Sequence, residues 1–182
     1  DTYEYLILGT DGSTFNPTPQ NVPHLTRQVW WNVGGKHVVN LTSLETYPWQ
    51  PDLSDQVTGL FEVPSGGNNY GQRMMGSFHV PMSGEYTFWI AADHASELWM
   101  ELDGVRQLIA HNSDYVTSRH WDAVPTQQSD SIHLDAGDKI ILEALMKEQS
   151  GHDHLAVGAQ FPDNRFERPL RARRFLEFPG DP

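Results

Sequence analysis

In SGEYTFWIAADHASELWM, Ser83 to Met100, the side chains of Tyr86, Phe88 and Ile90 share one face of an alternating run, with Thr87 and Trp89 on the other. A repeat of two is that of a strand, whose successive side chains point to opposite faces. The run breaks at Asp93-His94, and alternation resumes at Leu98, Met100 and Leu102. Asp103-Gly104 then supplies two residues tolerant of positive φ, so Val105 to Ala110 are expected to return antiparallel as a hairpin arm. Downstream, Ile132 and Leu134 lead through the turn signal DAGDK into KIILEALMKE, followed by HLAVGAQF with Leu155, Val157, Ala159 and Phe161 on one side. KIILEALMKE is rich in helix formers, so a short buried helix competes there; its strand-like neighbours favour a strand. Many short strands with turn signals predict an all-β, antiparallel β-sandwich with long loops. Phe88, Ile90, Leu98, Leu142 and Val157 are the expected core.

Three polar loops, TDGSTFNPTPQNVP, YPWQPDLSD and VPSGGNNYGQ, separate the strands, and loops on a rigid β scaffold are where binding residues tend to be placed. With 182 residues, 38% of them hydrophobic, the chain suits one domain with one core. A formal net charge of -12 repels phosphate backbones and anionic membrane surfaces, so nucleic-acid partners are not expected. Cysteine is absent, which removes disulfides and thiolate metal sites. No apolar run approaches the roughly 18 residues of a spanning helix. The start at Asp1 reads as a processed secreted chain or an excised domain, and Asn40-Leu41-Thr42 matches the N-glycosylation acceptor, with Asn40 as the site. Residues 163–182 hold five arginines, Arg165, Arg168, Arg171, Arg173 and Arg174. They either dock on their own domain or contact another extracellular protein.

No G-x-S-x-G, H-E-x-x-H or phosphate-binding glycine loop is present, so the chain reads as a binding protein and not an enzyme. His152-Asp153-His154 precedes a strand, and on an extended segment both imidazoles face the same way, as a transition-metal pair would. The plainer reading is a pair of surface histidines. Of the tryptophans, Trp30, Trp31, Trp49, Trp89, Trp99 and Trp121, most are expected in the core and one or two on the apolar face of a sugar.

Taken in order and spacing, RQVWWNVGGKHVVNLTSLETYPWQPD, NNYGQRMMGSFHVPMSGEYTFWIAADHASELWM and SIHLDAGDKIILEALMKEQSGHDHLAVGAQFP resemble the protective-antigen fourteen-kilodalton (PA-fourteen) domain, a lectin- and adhesin-like family. The resemblance covers about residues 27–161. It leaves an N-terminal extension, 1–26, in which YEYLIL suggests a strand, and a basic C-terminal tail, 163–182. It implies a β-sandwich of the PA-fourteen type and a secreted carbohydrate-binding module whose partners are glycans. In adhesin members two adjacent aspartates, joined by a cis peptide, hold a calcium ion that coordinates sugar hydroxyls. That pair falls here on Asp93-His94, with Asp153 facing it from the 148–154 loop. The resemblance thus implies a metal set of Asp93, His94 and Asp153, with calcium as the ion. Asn69, Trp99, Gln149, His152 and His154 stand as ligand contacts. Asn68 stands where relatives often carry an aspartate, and Asn69 supplies the matching amide. His94 replaces a carboxylate with an imidazole, which a hard cation binds poorly. Three outcomes follow: calcium held through Asp93, backbone carbonyls and Asp153; a metal-free site in which His94 bonds a sugar or protein directly; or a transition ion on His94 with His152 or His154. The alternative function is a structural or adhesive protein-interaction domain that has lost the metal.

Overall fold

The computed structural model describes residues 23–63, 66–113 and 115–176. Among them, in chain order, lie β1 (Leu25–Trp31), β2 (Leu53–Val57), β3 (Glu62–Val63), β4 (Tyr70–His79), β5 (Gly84–Ala92), β6 (Ser96–Leu102), β7 (Val105–Asn112), β8 (Ile132–Leu134), β9 (Lys139–Glu148), β10 (Leu155–Gln160), β11 (Phe166–Glu167) and β12 (Phe175–Leu176). One short helix, α1 (Val38–Thr42), follows β1. The seven-stranded sheet runs β2-β1-β4-β9-β6-β7, with β12 also on β4; the five-stranded sheet runs β11-β10-β5-β8, with β3 also on β10. Every pairing is antiparallel. No helix among the described residues is long and apolar enough to cross a membrane.

Alternation in the sequence carries directly into this arrangement. Asp103 and Gly104, at φ 53 and 78, turn β6 into β7, and the return arm extends to Asn112. KIILEALMKE is strand throughout as β9. Its helix formers are overridden by position: β9 is central, paired with β4 and β6, and buried on both faces. Ile140, Leu142, Ala144 and Met146 enter the main core, and Leu145 packs on the other face with Val38 of α1 and Ala95. Phe88, Ile90, Leu98, Leu142 and Val157 are all fully buried, as expected. At the centre Phe78 meets the rings of Tyr86, Phe88, Phe161 and Phe175 at centroid distances of 5.7–6.4 Å, within the range of favourable edge and tilted contacts.

Strands extend beyond residues 27–161 at both ends. Leu25 and Thr26 already belong to β1, with Leu25 fully buried, so the fold starts before residue 27. YEYLIL lies outside the described residues. The basic tail is part of the sandwich: Leu170, Ala172 and Phe175 are fully buried, and Phe175 packs on Phe61 and Phe78. Three of its five arginines engage this chain's own side chains, while Arg171 and Arg173 are exposed. Arg168 lies 4.3 Å above Trp89 and 4.1 Å from the Phe166 ring, Arg165 covers Phe161, and Arg174 pairs with Glu167 at 2.9 Å. The expectation for tryptophan is also corrected, since only Trp30 and Trp89 are buried while Trp49 is 85% exposed. Trp49 follows the Tyr47-Pro48 cis bond in a loop that leads toward β2, away from either sheet interior.

Antiparallel pairing brings particular strand ends to one pole. The register pairs Tyr70 with Glu148 and Trp31, Ser96 with Met146 and Asn112, and Ala92 with Leu155. The start of β4, β6 and β10 and the end of β1, β5, β7 and β9 therefore share this pole, called the mouth below.

Candidate functional site

At the mouth the chain passes from β5 to β6 through Asp93, His94 and Ala95, a turn held from several sides. Asp93 N–H donates to His154 O at 3.1 Å, Lys147 N–H to Ala95 O at 3.0 Å, and Asn112 Nδ2 to Ala92 O at 2.9 Å. Glu148 closes β9 and continues the inward row of Ile140, Leu142, Ala144 and Met146, so its carboxylate enters the end of the sandwich interior. One ligand atom from each of Asp93, His94 and Glu148 can be chosen so that all lie within 4.8 Å of one another. His94 Nδ1 is 2.7 Å from Glu148 Oε2 and 3.2 Å from Asp93 Oδ2, without the alignment of a hydrogen bond to either.

Around this point lie buried polar atoms without a hydrogen-bond partner: Asp93 Oδ1, both Glu148 carboxylate oxygens, His94 Nδ1, Ser96 Oγ and His154 Nε2. Asp93 is 2% exposed and Glu148 0%. Leaving one such group unsatisfied costs about 1–3 kcal/mol, and more for a charge, so their convergence marks a place built for a partner. Burial, followed by the negative charges of Asp153 and Asp93, pushes the Glu148 carboxyl up to about 7. Burial holds the His154 imidazole and the Lys147 ammonium below their ordinary values. The Lys147 ammonium donates to the Glu148 backbone carbonyl, so it does not neutralise the carboxylate by direct contact. Asp93, His152, Asp153 and His154 line a cavity of about 350 Å³ with Tyr115 and Thr117.

Asp153 has a different task. Its Oδ2 accepts from Gly66 N–H at 2.6 Å, Gly67 N–H at 2.9 Å and the Tyr70 hydroxyl at 2.6 Å, tying the 66–70 loop to the mouth. Gly67 sits at φ +119, a conformation that side chains disfavour. Burial and the bond to Asp153 raise the Tyr70 phenol well above its ordinary value. The two loops are further stitched by Asn69 N–H to Gln149 O at 3.0 Å and Gly151 N–H to Asn68 Oδ1 at 3.1 Å.

No protein-family model matches the chain. Among solved structures it is similar to the PA14 domain of the MpAFP antifreeze protein, with a TM-score of 0.64 and 12% identity over 90% of this chain and 95% of that one. The PA14 sugar-binding domain of an RTX adhesin gives 0.58 and 13%, covering 81% and 94%. The epithelial adhesin 6 A domain of Candida glabrata, in complex with Galb1-3GlcNAc, gives 0.60 and 14%, covering 89% and 90%. This chain has the PA14 fold. In sequence, it is 29% identical over 180 residues to mouse N-acetyl-beta-glucosaminyl-glycoprotein 4-beta-N-acetylgalactosaminyltransferase 1, a match covering 86% of this chain and 17% of that protein.

Within this PA14 sandwich, the structure brings together Asp93, His94, Asp153, His152 and His154, with Asn69 and Gln149 at the rim. His152 is exposed and His154 buried, so the expected pair does not present two equivalent imidazoles. Trp99 is not brought to the mouth. It lies on the outer face of the larger sheet, lining a separate cavity of about 470 Å³ with Tyr47, Arg73, Arg106 and Glu143, and Arg106 stacks on its ring at 3.8 Å. Nor is Asp93-His94 cis; the cis bonds among the described residues, Tyr47-Pro48 and Arg168-Pro169, both precede proline. Asn40 lies in α1, and its Oδ1 accepts from His37 N–H at 3.0 Å. Glu148 and Ser96 were missed in the sequence. Their signal was parity: each stands on the apolar row of its strand, an acid after Met146 and a hydroxyl before Leu98.

The donor set accommodates a cation but departs from calcium. Asp93 and Glu148 offer the oxygens a hard ion uses, whereas His94 Nδ1 occupies the gap between them and Asp153 Oδ2 already accepts three hydrogen bonds.

Proposed function

We propose that this PA14-fold domain is a non-catalytic glycan-binding module that reads neutral, N-acetylglucosamine-containing glycans at the mouth. The observation carrying this reading is the grouping of Asp93, His94 and Glu148, whose buried oxygens lack hydrogen-bond partners, beside a cavity lined by Asp93, His152, Asp153 and His154. A saccharide, dense in hydroxyls that both donate and accept, is a ligand of matching chemistry. Two similarities support the ligand class: the C. glabrata adhesin domain was solved with Galb1-3GlcNAc, and the mouse transferase is named for an N-acetylglucosamine-bearing glycoprotein acceptor. The chain spans only 17% of that transferase, so binding, and not transfer, is the activity proposed for this segment. The net charge of -12 favours neutral over sialylated or sulfated glycans. An extracellular or luminal setting goes with this function. Protein contact through the basic tail is the weaker alternative, because Arg165, Arg168 and Arg174 are engaged within the chain.

A glycan array carrying neutral and sialylated glycans, read with and without chelator, tests the proposal. Neutral N-acetyllactosamine-type glycans should bind, and Asp93→Ala should lower binding at least tenfold with an unchanged melting temperature. Folded protein that binds no glycan with or without chelator overturns it. Calcium, the ion expected from the sequence, is tested by adding it back.

A further inference from the structure

We propose that the mouth binds a borderline divalent transition ion, of the zinc kind, through Asp93, His94 and Glu148, in place of the calcium that the family resemblance implies. This deepens the proposed glycan site by naming its ion and rests on that reading for its biological role.

Burial gives the first argument. Two carboxylates with little or no exposure stand together with no Lys or Arg side chain bonded to either, and Asp93 Oδ1 and both Glu148 oxygens lack a hydrogen-bond partner, His94 being the one imidazole in ion-pair reach of them among the described contacts. Charge buried in this way is retained when it is paired or coordinates a metal. The second argument is the kind of donor. Nδ1 of His94 points between the carboxylates, within 2.7 Å of one and 3.2 Å of the other. Imidazole suits zinc, copper and iron; oxygen donors alone suit calcium. His94 keeps a quarter of its side-chain surface exposed, which leaves a side of the site open to water or a sugar hydroxyl.

Calorimetric titration of the EDTA-treated full chain with zinc or calcium chloride, in the absence of glycan, tests the inference. Zinc should bind at one site at least 100-fold more tightly than calcium. Cobalt substitution should give visible d–d absorption. Glu148→Gln should weaken zinc at least tenfold, and His94→Asp should reverse the preference toward calcium. His94→Gln, which keeps the bulk and removes the imidazole donor, serves if the charge change unfolds the chain, and should lose zinc at least tenfold. Calcium binding as tightly as zinc overturns the inference, as does zinc affinity unchanged in Glu148→Gln or the His94 variants but lost in His152→Ala. Metal bound as expected without any glycan recognition would remove the proposed function and leave this inference standing. Chelator-insensitive glycan binding by a chain that takes up no metal would do the reverse.

Discussion

Asp153 and Glu148 illustrate how two acids at one pole take different work. Asp153 binds Gly66, Gly67 and Tyr70 and anchors a loop, whereas the Glu148 oxygens have no hydrogen-bond partner and meet only the His94 imidazole. Asp153→Ala should therefore lower stability by about 2–4 kcal/mol, since it leaves a buried hydroxyl and two backbone donors unmatched; urea denaturation measures it. Trp99→Ala should leave glycan and metal binding at the mouth unchanged, because Trp99 belongs to the other face. Binding lost in that variant, with the fold intact, would relocate the site. Asp93 and Asp153 were legible in the sequence because the resemblance places their two loops opposite each other. Trp99 misled because an aromatic residue six positions after Asp93 shows nothing of which face it joins until the strand's parity is followed from Ser96.

At the scale of elements, the strands were legible wherever one face met the core and the other met water or a thin cover, as in β5 to β7. β9 was harder because both its faces are buried, which erases alternation and leaves a continuous apolar run that a helix also shows. Leu142→Ala, in the middle of that strand, should cost about 2–5 kcal/mol by thermal or chemical unfolding. The segment from β11 to β12 was read as a tail because its apolar residues are spaced between arginines, and side chains that stack on rings cannot be told from solvated ones by composition. Burial would raise the Glu167 carboxyl, but the Arg174 side chain and the Arg171 N–H hold it below its ordinary value. A depressed carboxyl stabilises the fold above its unfolded value and ceases to do so as pH falls through the folded one. The Glu167–Arg174 pair should thus contribute on the order of 1 kcal/mol near neutrality and nothing in strong acid. Glu167→Gln should flatten that part of the acid-stability profile.

For the molecule as a whole, the C-terminal segment is a wall of the core. Deleting residues 163–182 removes Leu170 and Phe175 and uncovers Trp89, Phe78 and Phe161. Near-UV circular dichroism should then show loss of the folded state; a truncated chain that stays folded would return this segment to the role of a loose appendage. β12 and β1 also share one neighbour. Leu176 pairs with Ser77 and Thr26 with Met75, and a Cβ placed on the intervening Gly76 would fall 2.9 Å from Phe175 and 3.0 Å from Leu25. The described strands thus begin with β1 and finish with β12 next to each other along one edge of β4, roughly 17–20 Å from Tyr70 at the strand's usual rise. A domain with that wiring can be spliced into a host chain like a bead on a doubled thread, its opening pointing clear of the suture. Joining Leu176 to Leu25 with a short flexible peptide and cutting instead between Asp103 and Gly104 should yield a rewired chain that folds and still captures its ligand.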